Sequence, residues 1–200
     1  YFGWQASAGV MKGFWNRMKE LGREPNPFQA GFLQFVGVAE TRKEAEKLYA
    51  RHADYFYNRS FHVDPSFATP PGYTTEESIR AKLGSQVAAA AKGGAPQSDS
   101  REFSKTRFFD EGHVIVGSPD EVADKLREVA TELNVGNILL LLHFGDMPRE
   151  LTEYNTSLFA KKVLPQIRGL FEDQWEHKWW PNPLARQQRR QPAPIAAFAP

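Results

Sequence analysis

Two stretches of this sequence are apolar at consecutive positions, and they constrain the fold more than any other feature. The first, residues 28–39, is apolar on both faces from Phe32 to Val38 apart from Gln34. The second, residues 137–143, contains four consecutive leucines. Strands that are buried on both faces belong to parallel sheets covered by helices. The sequence therefore predicts that residues 32–39 and 137–142 are parallel strands of one curved sheet.

Helix-start signals follow these strands. A capping-box pattern at residues 41–44 comes directly after the first strand, and a second one, at residues 118–121, follows a short strand-like run at 113–116. Pro148 can open a helix that runs toward Leu164. Strands that alternate with helices predict an α/β fold. Two long strands are too few for a complete sheet of this kind.

The composition argues against several classes of function. The formal net charge is +1, which gives no electrostatic reason to expect a nucleic-acid partner. No apolar run approaches the roughly 20 residues of a membrane-spanning helix. There is no cysteine, which fits a reducing, cytoplasmic location, and the five histidines are not spaced as metal ligands. We therefore expect no membrane, nucleic acid or metal.

The chain divides into a main domain and a tail. Residues 1–173 form the domain, with an insertion rich in Pro and Gly at 58–110. Residues 174–200 are rich in Pro, Arg, Gln and Ala, a composition that predicts disorder. The sequence opens on Tyr1 with no leader pattern, so we expect it to begin inside a larger protein.

The loop after the second long strand is the most informative candidate site. In parallel α/β folds the functional face lies at the carboxyl ends of the strands. Residues 143–147 occupy that position and combine a backbone amide, a carboxylate and apolar side chains. An ordinary turn, in which Gly145 supplies backbone freedom and Asp146 caps the next helix, explains the same residues equally well. No nucleotide-binding, zinc-protease or nucleophile-elbow motif is present, so no catalytic residue is assigned.

Five segments, taken in order, resemble luciferase-like flavin-dependent monooxygenases. Each segment alone is a weak signal, whereas their common order covers roughly residues 1–171. The matching segments are residues 36–45 (Val-Gly-Val-Ala-Glu-Thr and Glu-Ala), 116–126 (Val-Gly-Ser-Pro-Asp-Glu-Val-Ala), 134–140, 144–148 (Phe-Gly-Asp-Met-Pro) and 158–165 (Leu-Phe-Ala and Val-Leu-Pro).

The resemblance implies a (β/α)8 TIM-type barrel of which this chain is an incomplete, C-terminal portion, since a full barrel needs about 250 residues. It also implies a monooxygenase that uses O2 and reduced FMN, supplied by a separate flavin reductase, to oxygenate a small organic or long-chain substrate. A homo-oligomeric parent protein is expected. Two alternatives stay open: an F420-dependent oxidoreductase of the same superfamily, and a non-catalytic flavin-binding or structural homologue.

Within this resemblance, the expected flavin or substrate pocket has two sources. The first source is the strands and the loop after them. Gln34 is expected to point from its strand into the barrel, and four residues of the loop lie at the carboxyl end of the second strand: His143, Phe144, Gly145 and Met147. The insertion would supply a lid through its aromatic side chains, Phe61, Phe67 and Tyr73. Asp146 is expected to cap the following helix.

Overall fold

The computed structural model describes residues 3–60 and 106–174, together with Glu76 and Arg80. Helices and strands alternate along these ranges. In chain order they are α1 (Trp4–Glu20), a 3-10 turn (Pro27–Gln29), β1 (Gly31–Val38), α2 (Arg42–Asp54), π-helical turns (Tyr55–Ser60 and Thr106–Asp110), β2 (Val114–Gly117), α3 (Pro119–Leu133), β3 (Asn137–Leu141), α4 (Arg149–Leu158), a π-helical segment (Phe159–Val163) and α5 (Leu164–Ile167). The lid candidates Phe61, Phe67 and Tyr73, and nearly all of the tail, lie outside the described residues.

The helix starts form as the sequence predicts. At α3 the Ser118 side chain accepts a hydrogen bond from the Glu121 amide, and the Glu121 carboxylate accepts from the Ser118 amide at 2.9 Å. At α2 the Thr41 hydroxyl accepts from the Glu44 amide. These local bonds satisfy amides that the first helical turn leaves without partners.

The three strands form a parallel sheet in the order β2-β1-β3. Phe35 is the point where the pairings meet, since it lies opposite Val114 on one side and Leu141 on the other. The predicted parallel arrangement of the two long strands is confirmed. The α/β class with a parallel sheet is confirmed with it.

The order of the strands differs from the barrel expectation. In a (β/α)8 barrel each strand lies beside the next one along the chain, which would place β2 between β1 and β3. In the described ranges β1 is central instead. It is the longest of the three and is buried from Gln34 to Val38, whereas β3 pairs with β1 alone among the described strands and Leu139 is 58% exposed. The prediction that β3 is buried on both faces was therefore wrong for the face on which Leu139 lies.

Separate apolar cores cover the two faces of the sheet. On one face Val36 and Val38 pack with Leu126 and Leu133 of α3 and with the segment Phe159–Val163. On the other face Phe35 packs with α2 and with Phe108, Phe144 and Met147, and these side chains form the second core. The α2 and α3 crossovers leave β1 and β2 in opposite directions and lie on opposite faces, so both have the same hand.

We expect Gly37→Ala to destabilise the protein by about 2 kcal/mol, the usual cost of overpacking a core. A Cβ at Gly37 would lie 2.4 Å from the Tyr49 ring. That ring cannot retreat, because Tyr49 is fully buried and its hydroxyl donates to the Val38 carbonyl oxygen at 2.9 Å. Urea unfolding followed by circular dichroism measures the loss of stability.

Gly9→Ala is the matched control for this prediction. Gly9 lies within α1, and apart from the adjoining helix backbone no atom lies within 4 Å of the position that a Cβ would take. Alanine is the better helix former by roughly 0.5–1 kcal/mol, so this variant should be more stable than the parent. Equal effects of the two substitutions would contradict the steric explanation.

Candidate functional site

The carboxyl ends of the strands converge on one edge of the sheet. There β1 leads into α2 on one face, whereas β2 and β3 lead into helices that pack on the other face. In open α/β sheets ligands bind in the crevice where neighbouring strands send their connections to opposite faces. Between β1 and β3, this edge of the sheet carries the loop at residues 142–148, which the sequence singled out.

Asn155 fills the gap between β1 and β3 beyond their last paired residues. Its side chain is fully buried in α4. The amide oxygen accepts from the Val38 amide at 2.8 Å, and the amide nitrogen donates to the carbonyl oxygens of Val36 and Leu142, also at 2.8 Å. This residue therefore joins α4 to the carboxyl ends of both strands.

The loop that follows β3 is packed tightly against α2. Gly145 has a φ of 62°, and a Cβ there would lie 2.1 Å from the His52 carbonyl oxygen. Phe144 and Met147 are buried in the second core, where the Phe144 ring contacts Phe35 and Tyr49. The predicted backbone freedom of Gly145 is confirmed. In the described ranges protein encloses the side chains of Phe144 and Met147. Their role as pocket residues stays a prediction.

Asp146 does not cap the following helix. The N-cap of α4 is Pro148, which makes no side-chain capping bond. Asp146 Oδ1 instead accepts a hydrogen bond from His52 Nδ1 at 2.6 Å, and Oδ2 accepts one from Arg51 at 2.9 Å. The capping expectation was wrong because a tertiary contact with the last turn of α2 takes the carboxylate away from the helix end.

The contacts of Asp146 change its acidity. The hydrogen bond from His52 lowers the pKa of Asp146, the hydrogen bond and charge of Arg51 lower it further, and partial desolvation opposes both. A carboxyl whose pKa is lower in the folded state stabilises the protein above its unfolded pKa of about 3.9. That stabilisation is lost as the pH falls through the lower, folded pKa.

We therefore expect Asp146→Asn to cost about 1.5 kcal/mol at pH 7, the lower end for hydrogen bonds to charged groups, because the side chain is 27% exposed. The difference between parent and variant should shrink below pH 4. Chemical unfolding at several pH values between 7 and 2.5 measures it. Asp124→Asn, at an exposed ion pair with Arg127, is the control and should change stability by less than about 1 kcal/mol. A difference that stays constant with pH would contradict the assignment.

The two remaining pocket candidates lie in different places. His143 is exposed in the loop, and its Nε2 lies 3.2 Å from the Met147 carbonyl oxygen. Gln34 is fully buried on the face that carries Val36 and Val38, where its amide donates to the carbonyl oxygens of Phe35 and His113. In the described ranges helices cover both faces of β1, including the face of Gln34, so the prediction that this side chain points into an open barrel interior was wrong. Backbone acceptors offset the cost of burying its amide.

Two cavities in the described ranges lie away from the predicted pocket residues of β1 and of the loop after β3. A large, mainly apolar cavity of about 810 Å³ lies at the amino end of β3 and is bordered by Phe28, Gly136, Ile138 and Phe171. A smaller one of about 390 Å³ lies at the carboxyl edge, beside the Glu40–Lys162 ion pair. Neither is lined by Gln34, His143, Phe144, Gly145 or Met147.

The described ranges contain neither a metal-binding cluster nor a membrane-spanning helix. No group of three His, Asp or Glu side chains is placed to hold a metal ion in that part of the chain. None of its helices has the length and apolar character needed to cross a membrane.

Solved structures of two monooxygenases are similar to this chain. The chain is similar to the oxygenating constituent of 3,6-diketocamphane monooxygenase from the CAM plasmid of Pseudomonas putida, a type II Baeyer-Villiger monooxygenase in complex with FMN. The TM-score is 0.52 at 20% identity, over 84% of this chain and 41% of that one. Monooxygenase RslO1 from Streptomyces bottropensis gives a TM-score of 0.46 at 17% identity, over 81% and 38% of the two chains.

The first of these comparisons, with a TM-score of 0.52, establishes a likeness of fold. The chain spans about two fifths of the length of these neighbours. No protein-family profile matches the chain, and no curated protein matches its sequence.

Proposed function

We propose that this chain is part of a flavin-dependent monooxygenase that uses reduced FMN and O2 to oxygenate a small organic substrate. The observation that carries the proposal is the fold likeness to an FMN-bound oxygenating protein over 84% of the chain. The five sequence segments that resemble luciferase-like monooxygenases support it independently, since they occur in that family's order. The barrel portion, the separate flavin reductase, the homo-oligomeric parent and a cytoplasmic location belong to the same proposal.

The donor set at the carboxyl edge fits one side of a flavin site. Arg51 places a guanidinium that is 80% exposed against the loop that carries the exposed imidazole of His143, through its bond to Asp146 in that loop. Cationic and imidazole donors match the phosphate and the polar ring edge of FMN. Phe144 and Met147 form the apolar floor beneath the loop. These residues would hold and orient the flavin from one side. Residues elsewhere in the full protein would contact its other side.

The protein's part in such a reaction is to orient the reactants and to exclude water, because the bound reduced flavin supplies the chemistry with O2. In this chain Phe144 and Met147, which are packed in the core beneath the loop, would keep water away from the side of the site that faces the sheet. Asn155 holds the ends of β1 and β3 at a fixed distance by its bonds to Val38 and Leu142. The edge is therefore rigid where a flavin would have to be positioned.

The experiment that tests the proposal uses this chain and the full gene product that contains it. Each is mixed with chemically reduced FMN without oxygen, and binding is measured by flavin fluorescence. Labelled ¹⁸O2 is then added with a panel of ketones, aldehydes, alkanes and sulfonates, and products are analysed by mass spectrometry. We expect one labelled oxygen atom in the product and the other in water, with one reduced flavin oxidised per turnover.

Three other results would each reject the proposal. Reduction or oxidation of a substrate with F420 and no incorporation of ¹⁸O would identify a hydride-transferring oxidoreductase. Flavin binding by the full gene product without turnover of any substrate would indicate a non-catalytic homologue. Absence of flavin binding by the full gene product would remove the cofactor from the proposal altogether.

A further inference from the structure

His52 lies in the last turn of α2, at the carboxyl edge of the sheet. Its imidazole is 10% exposed, and Nδ1 lies 2.6 Å from Asp146 Oδ1. An ionised carboxylate only accepts hydrogen bonds, so the proton of this bond resides on Nδ1. In the neutral imidazole Nε2 therefore carries the lone pair.

Nε2 of His52 is available for a ligand. Within the ranges that the structure describes, the imidazole makes one hydrogen bond, from Nδ1 to Asp146. The side chain as a whole keeps a small exposed fraction of 10%. The ring is thus held at one nitrogen and open at the other, as in bases that an acidic side chain orients.

The elements that hold the pair are fixed by packing. Gly145 brings the backbone of the loop against the backbone of His52, leaving no room for a Cβ. One turn earlier in α2, Tyr49 is bound to β1 through the Val38 carbonyl oxygen. Arg51 holds the second oxygen of Asp146 at 2.9 Å. The imidazole consequently has a defined position before any ligand arrives, which favours proton transfer.

We propose that His52 is a proton-transfer residue and that Asp146 is its positioning residue, in a site for a small molecule that carries a hydroxyl group. This inference rests on the proposed function, because oxygenation changes the protonation of substrate oxygen atoms. Nε2 takes one proton from a substrate O–H group, which leaves an oxyanion and an imidazolium paired with the Asp146 carboxylate. The reverse step returns the proton, and no electrons are exchanged.

Two variants separate this role from a structural one. In His52→Asn the side-chain amide can still donate to Asp146 from near the Nδ1 position, while Nε2 is removed. We expect its urea midpoint to match the parent's and its oxygenation rate in the full gene product to fall roughly 100-fold or more, the usual contribution of a general base. In Asp146→Asn the imidazole stays but loses its orienting partner, so a smaller loss of rate is expected.

Two further measurements do not depend on turnover. Nitrogen-15 NMR of the parent chain should show His52 with its proton on Nδ1, and Asp146→Asn should shift this tautomer. Diethyl pyrocarbonate, which acylates accessible neutral imidazole nitrogens, should modify His52 at Nε2, with the exposed His143 as the internal standard.

The outcomes distinguish the two proposals. If no oxygenation is found but the tautomer and the acylation at Nε2 are as expected, the monooxygenase proposal fails and the acid–base pair stands. Unchanged turnover in a folded His52→Asn variant would overturn the role of His52. A proton on Nε2, or resistance of His52 to acylation while His143 reacts, would overturn it as well.

Discussion

Replacing Asn155 with alanine should lower the free energy of unfolding by about 4 kcal/mol, because each buried polar group that loses its partner costs roughly 1–3 kcal/mol. Three backbone groups would be left unpaired: the Val38 amide and the carbonyls of Val36 and Leu142. Water has no ready access to replace Asn155, whose side chain is fully buried. Urea unfolding monitored by tryptophan fluorescence measures the effect.

Two companion variants sharpen this prediction. Thr156→Ala changes the next residue of α4, which is exposed, and should alter stability by less than about 0.5 kcal/mol. Asn155→Asp keeps the size and one acceptor but replaces the donor with an oxygen that faces two carbonyl oxygens. It should be at least as damaging as alanine. An Asn155→Ala variant as stable as Thr156→Ala would show that the edge of the sheet does not depend on this side chain.

The sequence places a polar residue, Asn155, on the apolar face of the helix α4, and helical periodicity alone does not explain it. The apolar stripe of α4 consists of Leu151, Tyr154 and Leu158, and Asn155 falls on the same side of the helix. A polar side chain on an inward stripe needs a buried partner. Its partners lie 117 to 119 residues away in β1, as well as in the segment that ends β3. The position was visible in the sequence, whereas the partners depend on the packing of α4 against the sheet.

Elements governed by local interactions could be predicted. The caps at Thr41 and Ser118 use residues three positions away, and the central strand is marked by its own apolar side chains. The parallel pairing of β1 and β3 was also predicted, from the consecutive apolar residues of both strands, although in the structure β1 is much the more buried of the two.

The order of the strands could not be predicted in the same way. Both crossovers are compatible with β1 or β2 at the centre, since the same hand is kept in either case. Among the strands that the structure describes, the long β1 takes the central position and β3 pairs with β1 alone. The four leucines at residues 139–142 indicated a strand buried on both sides, but apolar character does not reveal which strand lies beside it.

The loop at residues 143–148 was located correctly, and its internal contacts were only partly foreseen. Gly145 was identified as a residue that needs backbone freedom, which its φ of 62° confirms. Asp146 was assigned to a local cap, although its partner His52 lies 94 residues earlier in the chain. Local rules favour the nearest helix end for an Asp in such a loop, and only the packing of α2 against the loop brings His52 within reach.

Gly145→Ala should destabilise the protein by about 4 kcal/mol and separate His52 from Asp146. The left-handed backbone costs a residue with a Cβ roughly 1–2 kcal/mol, and overpacking adds roughly 1–3 kcal/mol. The added methyl would lie 2.1 Å from the carbonyl oxygen of His52, a backbone atom that cannot rotate away. The loop must therefore move from α2. Urea unfolding gives the loss of stability, and the His52 tautomer by NMR reports the broken pair.

Gly22→Ala separates the two contributions to this effect. Gly22 has a similar φ of 71° at the end of α1, but no atom lies within 4 Å of the position that its Cβ would take. It should cost only the backbone term of about 1–2 kcal/mol and leave the His52 tautomer unchanged. If the two alanine variants lost equal stability, conformational preference alone would explain Gly145. If Gly145→Ala was much the less stable but kept the parent's His52 tautomer, the pair would not depend on the close contact between the loop and α2.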